Sequence, residues 1–99
     1  MKSILVTGLA DQFDVTLVDV REQNEYAAGH VPGGINIPLG QLRSRISEIP
    51  STDTVHVICE SGRRSAQAVE ALGALGINAV NVDGGTAAWT QAGLPLDTN

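Results

Sequence analysis

The sequence predicts a single α/β domain over residues 1–99, with a central, mainly parallel sheet and helices on both faces. Three observations predict it. Short β-branched runs alternate with stretches of helical spacing. The runs are apolar at successive positions, as strands buried on both faces are. The chain has 99 residues, one domain's worth, and 42% are hydrophobic, enough to bury a core.

The elements follow in order. Ile4-Leu5-Val6 forms a short first strand. Thr16-Leu17-Val18-Asp19-Val20 forms the second, apolar on both faces except at Asp19. Residues 23–28 make a short helix stopped by Gly29. Ile35-Asn36-Ile37 is a third strand ended by Pro38. Residues 39–48 carry Leu39, Leu42 and Ile46 at helical spacing, which predicts a helix stopping before Pro50. Thr54-Val55-His56-Val57-Ile58 is the fourth strand. Residues 65–75 place Ala68, Leu72 and Leu75 on one helical face, with Gly76 as the stop. Ala79-Val80-Asn81-Val82 is the fifth strand, and residues 86–91 form a last helix closed by Gly93 and Pro95.

Composition excludes several function classes. One Trp, one Tyr and one Phe leave an aliphatic core. The net charge of -5 argues against nucleic acid, which needs a basic face. No apolar run approaches the roughly 20 residues of a membrane span. The first six residues lack the features of a secretory signal, so a cytoplasmic protein is expected. The single cysteine, Cys59, excludes an internal disulfide and a thiolate-rich metal cluster. His30 and His56 lie far apart in sequence, so no zinc site is expected, and no cofactor.

One segment carries chemistry: Val57-Ile58-Cys59-Glu60-Ser61-Gly62-Arg63-Arg64-Ser65-Ala66. A buried strand ends at Ile58 and a helix begins near Arg64. In parallel sheets, ligands bind beyond the carboxyl ends of the strands. A short loop entering a helix turns successive N–H groups inward and adds the positive end of the helix dipole. Gly62 permits the tight turn. The result is an anion cradle with Cys59 at its floor and Arg63 or Arg64 at its rim. That field favours the thiolate and would steady a persulfide built on it. The bland alternative is a small buried hydrophobe, but such a cysteine has no need of the Ser-Gly-Arg-Arg-Ser that follows.

The chain resembles a single-domain rhodanese. Leu17-Val18-Asp19-Val20-Arg21-Glu22, then Glu25-Tyr26 and Gly29-His30-Val31-Pro32-Gly33-Gly34-Ile35-Asn36-Ile37-Pro38, resemble that family's first signature. Cys59-Glu60-Ser61-Gly62-Arg63-Arg64-Ser65 resembles its active-site loop. Gly76-Ile77, Val80, Val82-Asp83-Gly84-Gly85, Ala88-Trp89 and Gly93-Leu94-Pro95 resemble its closing segment. The resemblance implies a three-layer fold around a five-stranded, mainly parallel sheet. It implies a sulfurtransferase in which Cys59 takes a sulfane sulfur from thiosulfate or a persulfide and passes it to cyanide, a thiol or a protein acceptor. It implies that the backbone from Glu60 to Ser65, through Ser61, Gly62, Arg63 and Arg64, forms the cradle, without cofactor or metal.

Loop length separates two readings. Cysteine phosphatases use Cys, five residues, then Arg; here Arg64 follows Cys59 after four. A tighter ring suits one sulfur better than a tetrahedral phosphate, which puts a phosphatase or arsenate reductase second. A sulfur-carrier or regulatory binding module is the third reading.

The surrounding residues divide into binding and support. Arg64 is read as pairing with Asp19 or Glu25, which leaves Arg63 as the arginine facing the pocket or steering anions from the rim. Asp19, a charge in an apolar run, needs a partner, and Arg21 and Arg64 are the candidates. Glu60 departs from the neutral or basic residue common at that place in the family. A carboxylate there opposes an anionic donor and shifts preference toward a thiol persulfide or a protein donor. His30 is read as fixing its loop by hydrogen bonding, and His56 as a satisfied core or edge histidine. Gly84-Gly85 is read as the entry to the last helix, and Trp89 as a core anchor or a rim residue.

Overall fold

The computed structural model describes residues 1–12 and 14–98. The chain runs β1 (Ser3–Leu5), α1 (Val6–Ala10), β2 (Thr16–Asp19), α2 (Gln23–Ala28), β3 (Ile35–Asn36), two 3-10 turns (Leu39–Gln41 and Ile46–Glu48), β4 (Val55–Ile58), α3 (Arg63–Ala74), β5 (Ala79–Asp83) and α4 (Gly85–Gln91). The five strands form one sheet in the order β1-β5-β4-β2-β3, and every neighbouring pair is parallel. The registers Val18↔Val57 and Val57↔Asn81 line up the carboxyl ends of β2, β4 and β5.

Alternation along the strands feeds two cores. Val18, Val20, Val55 and Val57 face α3, where Ala68, Val69 and Leu72 cover them. Leu17, Ile58 and Val82 point the other way, under Val6 and Leu9 of α1 and Trp89 of α4. This gives the three layers that the sequence predicts. Fully buried side chains such as Ile58 and Leu72 each contribute about 1.5–3 kcal/mol. No helix among the described residues is long and apolar enough to cross a membrane.

Local signals set the helix ends. In α2 the Glu25 carboxylate accepts the Glu22 N–H at 3.0 Å, one half of a capping box. At the end of α3 the Ile77 N–H donates to the Leu72 carbonyl and the Gly76 N–H to the Gly73 carbonyl, both at 3.0 Å. That is a Schellman closure, and Ile77 packs back on the core beside Leu72.

Three expectations change. The helix over 39–48 is instead two separate 3-10 turns. Gly40 and Ser44 weaken a continuous helix, and the turns still bury Leu42 and half-bury Ile46. The apolar spacing reported which side chains face inward, not the hydrogen-bond pattern. Val6 opens α1 rather than ending β1. His56 is buried but not satisfied: its Nδ1 has no hydrogen-bond partner among the described residues.

Candidate functional site

Cys59 leaves the sheet at the carboxyl end of β4, directly before a short loop into α3. Gly62 caps that helix with a left-handed φ of 100°, which lets the chain reverse over the sulfur. The Gly62 N–H donates to Cys59 Sγ at 3.1 Å, and the Ser65 hydroxyl reaches the same sulfur at 3.3 Å. The backbone N–H groups of Ser65 and Ser61 add to the field that favours the anionic sulfur. Burial pushes the thiol up, but these four donors outweigh burial and hold it below its ordinary value. The residue is 1% exposed, so the sulfur sits on the floor of the loop rather than at its lip.

α4 holds the loop from behind. The Thr86 N–H and hydroxyl donate to the Cys59 carbonyl at 2.8 and 3.0 Å, and the Ala87 N–H donates to the Glu60 carbonyl at 3.0 Å. The peptide unit is planar and trans, so fixing the Glu60 carbonyl on α4 turns the Ser61 N–H to the opposite side, toward the sulfur. This contact needs glycine at 85. A Cβ there would lie 2.5 Å from the Cys59 carbonyl oxygen and 2.6 Å from the Glu60 carbonyl.

The charged residues sort into two pairs around the loop. Arg64 grips Glu25 through two bonds of 2.7 and 3.0 Å. The Arg64 hydrogen bonds, against some burial, hold the Glu25 carboxyl at about 2. Arg64 is pushed up by the same contact, with weaker attraction from Cys59 and Asp19. Asp19 takes Arg21, not Arg64: the guanidinium donates to its carboxylate at 3.0–3.2 Å, and the Arg21 N–H adds a bond of 3.0 Å. Arg21 also donates to the Gly29 carbonyl at 2.8 Å and reaches Glu60 at 3.4 Å. Glu60 is half-exposed, with its carboxylate turned onto Arg21. Arg63 is exposed at the start of α3.

The structure therefore gathers Cys59, Ser61, Gly62 and Ser65 on the sulfur and sets Arg64 aside on Glu25. Sequence reasoning missed Asn81, Gly85 and Thr86 as parts of this site. Asn81 carried a readable signal, a polar residue inside the apolar run of β5, as Asp19 is in β2. Away from the loop, His30 stacks on Tyr26 with ring centroids 3.7 Å apart and bonds its carbonyl through Nδ1. Trp89 is buried in the second core and donates to the Pro95 carbonyl at 2.7 Å.

A sequence profile described as the rhodanese-like domain matches residues 5–92. The chain belongs to the rhodanese-like family. It is 43% identical over 89 residues to a sulfurtransferase of Allochromatium vinosum, covering 89% of this chain and 83% of that one. It is 44% identical over 70 residues to the thiosulfate sulfurtransferase PspE of Escherichia coli, covering 69% and 67%. A crystal structure of a rhodanese-related protein from Thermoplasma volcanium superposes with a TM-score of 0.94 at 37% identity over 100% of both chains. Other relatives that it matches are longer, and the chain spans less than half their length.

Proposed function

We propose that this protein is a sulfurtransferase that carries a sulfane sulfur on Cys59. The observation that carries the reading is the convergence of the Gly62 N–H and the Ser65 hydroxyl on one sulfur, with the backbone of Ser61 and Ser65 adding to the field that lowers its pKa. Such a ring stabilises an anionic sulfur, either the free thiolate or the persulfide. In the first displacement the Cys59 thiolate attacks the outer sulfur of thiosulfate. The new S–S bond forms as the thiosulfate S–S bond breaks, and sulfite leaves with that electron pair. In the second, cyanide or a thiolate attacks the outer sulfur, and the Cys59 thiolate departs. The attacking form is the thiolate, which the donors around Cys59 favour. Ser61, Gly62 and Ser65 hold the sulfur, Arg63 attracts the anionic donor at the rim, and Asp19, Arg21, Glu25 and Arg64 keep the walls in place.

The 1% exposure of Cys59 and the four-residue spacing to Arg64 favour a slim terminal sulfur over a phosphoryl group. The test mixes the protein with thiosulfate and cyanide and measures thiocyanate. Wild type produces it and Cys59→Ser does not; equal activity of the two overturns the reading. The same cover over the sulfur favours, as a second reading, a carrier that discharges to a protein acceptor. Its mark is a mass gain of about 32 Da on the lone cysteine that cyanide and thiols release slowly.

A further inference from the structure

The Ser65 hydroxyl carries one proton and faces two acceptors. Its Oγ lies 3.3 Å from Cys59 Sγ and 2.5 Å from Asn81 Oδ1. Both Ser65 and Asn81 are buried. The orientation of the Asn81 amide follows from its other side: Nδ2 donates to the Gly62 carbonyl at 3.2 Å and reaches Asp83 Oδ1 at 3.4 Å. Flipped, the amide would set its oxygen against both of those acceptors. The carbonyl oxygen therefore points at Ser65, and the nearer of the two contacts holds the proton.

We propose that Asn81 is a positioning residue for the reactive sulfur: its carboxamide oxygen competes with Cys59 Sγ for the Ser65 proton. In the thiol form Ser65 donates to Asn81 and accepts from the S–H. In the thiolate or persulfide form the hydroxyl turns and donates to the sulfur, and Asn81 Oδ1 gives up that donor. The S–H proton passes to solvent as the thiol ionises; the Ser65 hydroxyl keeps its own proton, and one bond rotation turns it from Asn81 to the sulfur. Asn81 thus opposes ionisation of the resting thiol, while its Nδ2 holds the Gly62 carbonyl and with it the turn of the loop. This extends the reading of Cys59 as the sulfur carrier by assigning control of its charge.

α4 brings no charged side chain to the loop, and the other packed elements bring several. They are Arg63 and Arg64 on α3, Glu25 on α2, Asp19 and Arg21 at the end of β2, Glu60 in the loop and Asp83 at the end of β5. Replacing Asn81 with leucine changes none of these charges. It removes the competing oxygen at nearly constant volume and frees the Ser65 proton for the sulfur.

The test follows iodoacetamide alkylation of the single cysteine against pH. Asn81→Leu is expected to alkylate about three- to tenfold faster than wild type below the midpoint, the net size of one typical hydrogen bond. Ser65→Ala is expected to alkylate more slowly, and adding Asn81→Leu to it is expected to bring no acceleration. A merely structural role would not need Ser65, so an equal Asn81→Leu effect with Ser65 absent overturns the proposal. Slower alkylation of Asn81→Leu also overturns it. A second measurement needs no variant: the infrared S–H stretch of the wild-type thiol is expected at a hydrogen-bonded frequency, and a free-thiol frequency overturns the proposal. If alkylation behaves as expected but no thiocyanate forms, the sulfurtransferase reading fails and this one stands. If thiocyanate forms but Asn81→Leu titrates like wild type, the reverse holds.

Discussion

Replacing Gly85 with alanine drives a methyl carbon into the backbone of the Cys59 loop. That carbon would lie 2.5 Å from the Cys59 carbonyl oxygen and 2.6 Å from the Glu60 carbonyl carbon and oxygen. Ordinary nonbonded contact begins at about 3.5 Å, so α4 has to retreat by about 1 Å. The retreat breaks three hydrogen bonds, from the Thr86 N–H, the Thr86 hydroxyl and the Ala87 N–H. At a net 0.5–1.5 kcal/mol each they account for roughly 1.5–4.5 kcal/mol. The backbone φ of 60° at position 85 adds about 1–2 kcal/mol once a Cβ is present. The expected loss is about 3–6 kcal/mol, read from urea unfolding followed by fluorescence of the lone Trp89. The loop carbonyls then swing free and the Ser61 N–H drifts from the sulfur. Thiocyanate formation by the fraction still folded is expected to fall about a hundredfold, the scale of a 1 Å misplacement. A loss below about 1 kcal/mol with full activity would refute the claim that α4 holds the cradle in shape.

Three further outcomes follow from the charged groups. Glu25→Gln is expected to cost about 1–2 kcal/mol at neutral pH; the full linkage from 4.5 to about 2 sets a ceiling near 3.4 kcal/mol, and the pair's exposure of about a third screens it. The folded carboxyl is depressed, so this stability is present above 4.5 and is lost as pH falls through about 2; unfolding curves of the two proteins should converge on acidification, and a constant gap would count against the pair. Burial pushes His56 below its ordinary pKa, only partly offset by the Thr16 backbone, so the unfolded chain takes up its proton first, and stability should decline as pH falls below 6.5. His56→Leu should flatten that decline in urea titrations, whereas an unchanged slope would show that the orphaned Nδ1 is harmless. Glu60→Gln removes the carboxylate of the residue that follows Cys59 in the loop and should raise kcat/KM for thiosulfate about two- to fivefold at low salt, with the gain shrinking as salt rises; a salt-independent or absent gain removes Glu60 from donor choice.

Much of this architecture is readable from periodicity alone. β2, β4 and β5 are apolar at consecutive positions because both faces are covered, whereas a strand with one wet face alternates. α3 announces itself by Ala68, Leu72 and the glycine stop. α1 does not. Val6-Thr7-Gly8-Leu9-Ala10 holds a glycine and two β-branched residues, and it is helical because Val6 and Leu9 pack under Trp89. The position of Cys59 at a strand end was legible, as was Glu25 as one of two candidate partners for Arg64. The choice between Asp19 and Glu25 was not, since it depends on how α2 lies over α3. Nor was the bracing from Gly85, Thr86 and Asn81, because contacts spanning 16–27 residues leave no local pattern.

The sheet's borders are short. β1 offers three residues at one side and β3 two at the other. Borders of that length leave few open amides and carbonyls, too few for a foreign strand to zip onto. The molecule is thereby guarded against stacking edge to edge with copies of itself. If the proposed sulfur transfer has a macromolecular acceptor, the sheet edges leave its recognition to the side chains near the loop, Glu60 and Arg63 foremost, and its affinity should respond to charge reversal there rather than to strand propensity.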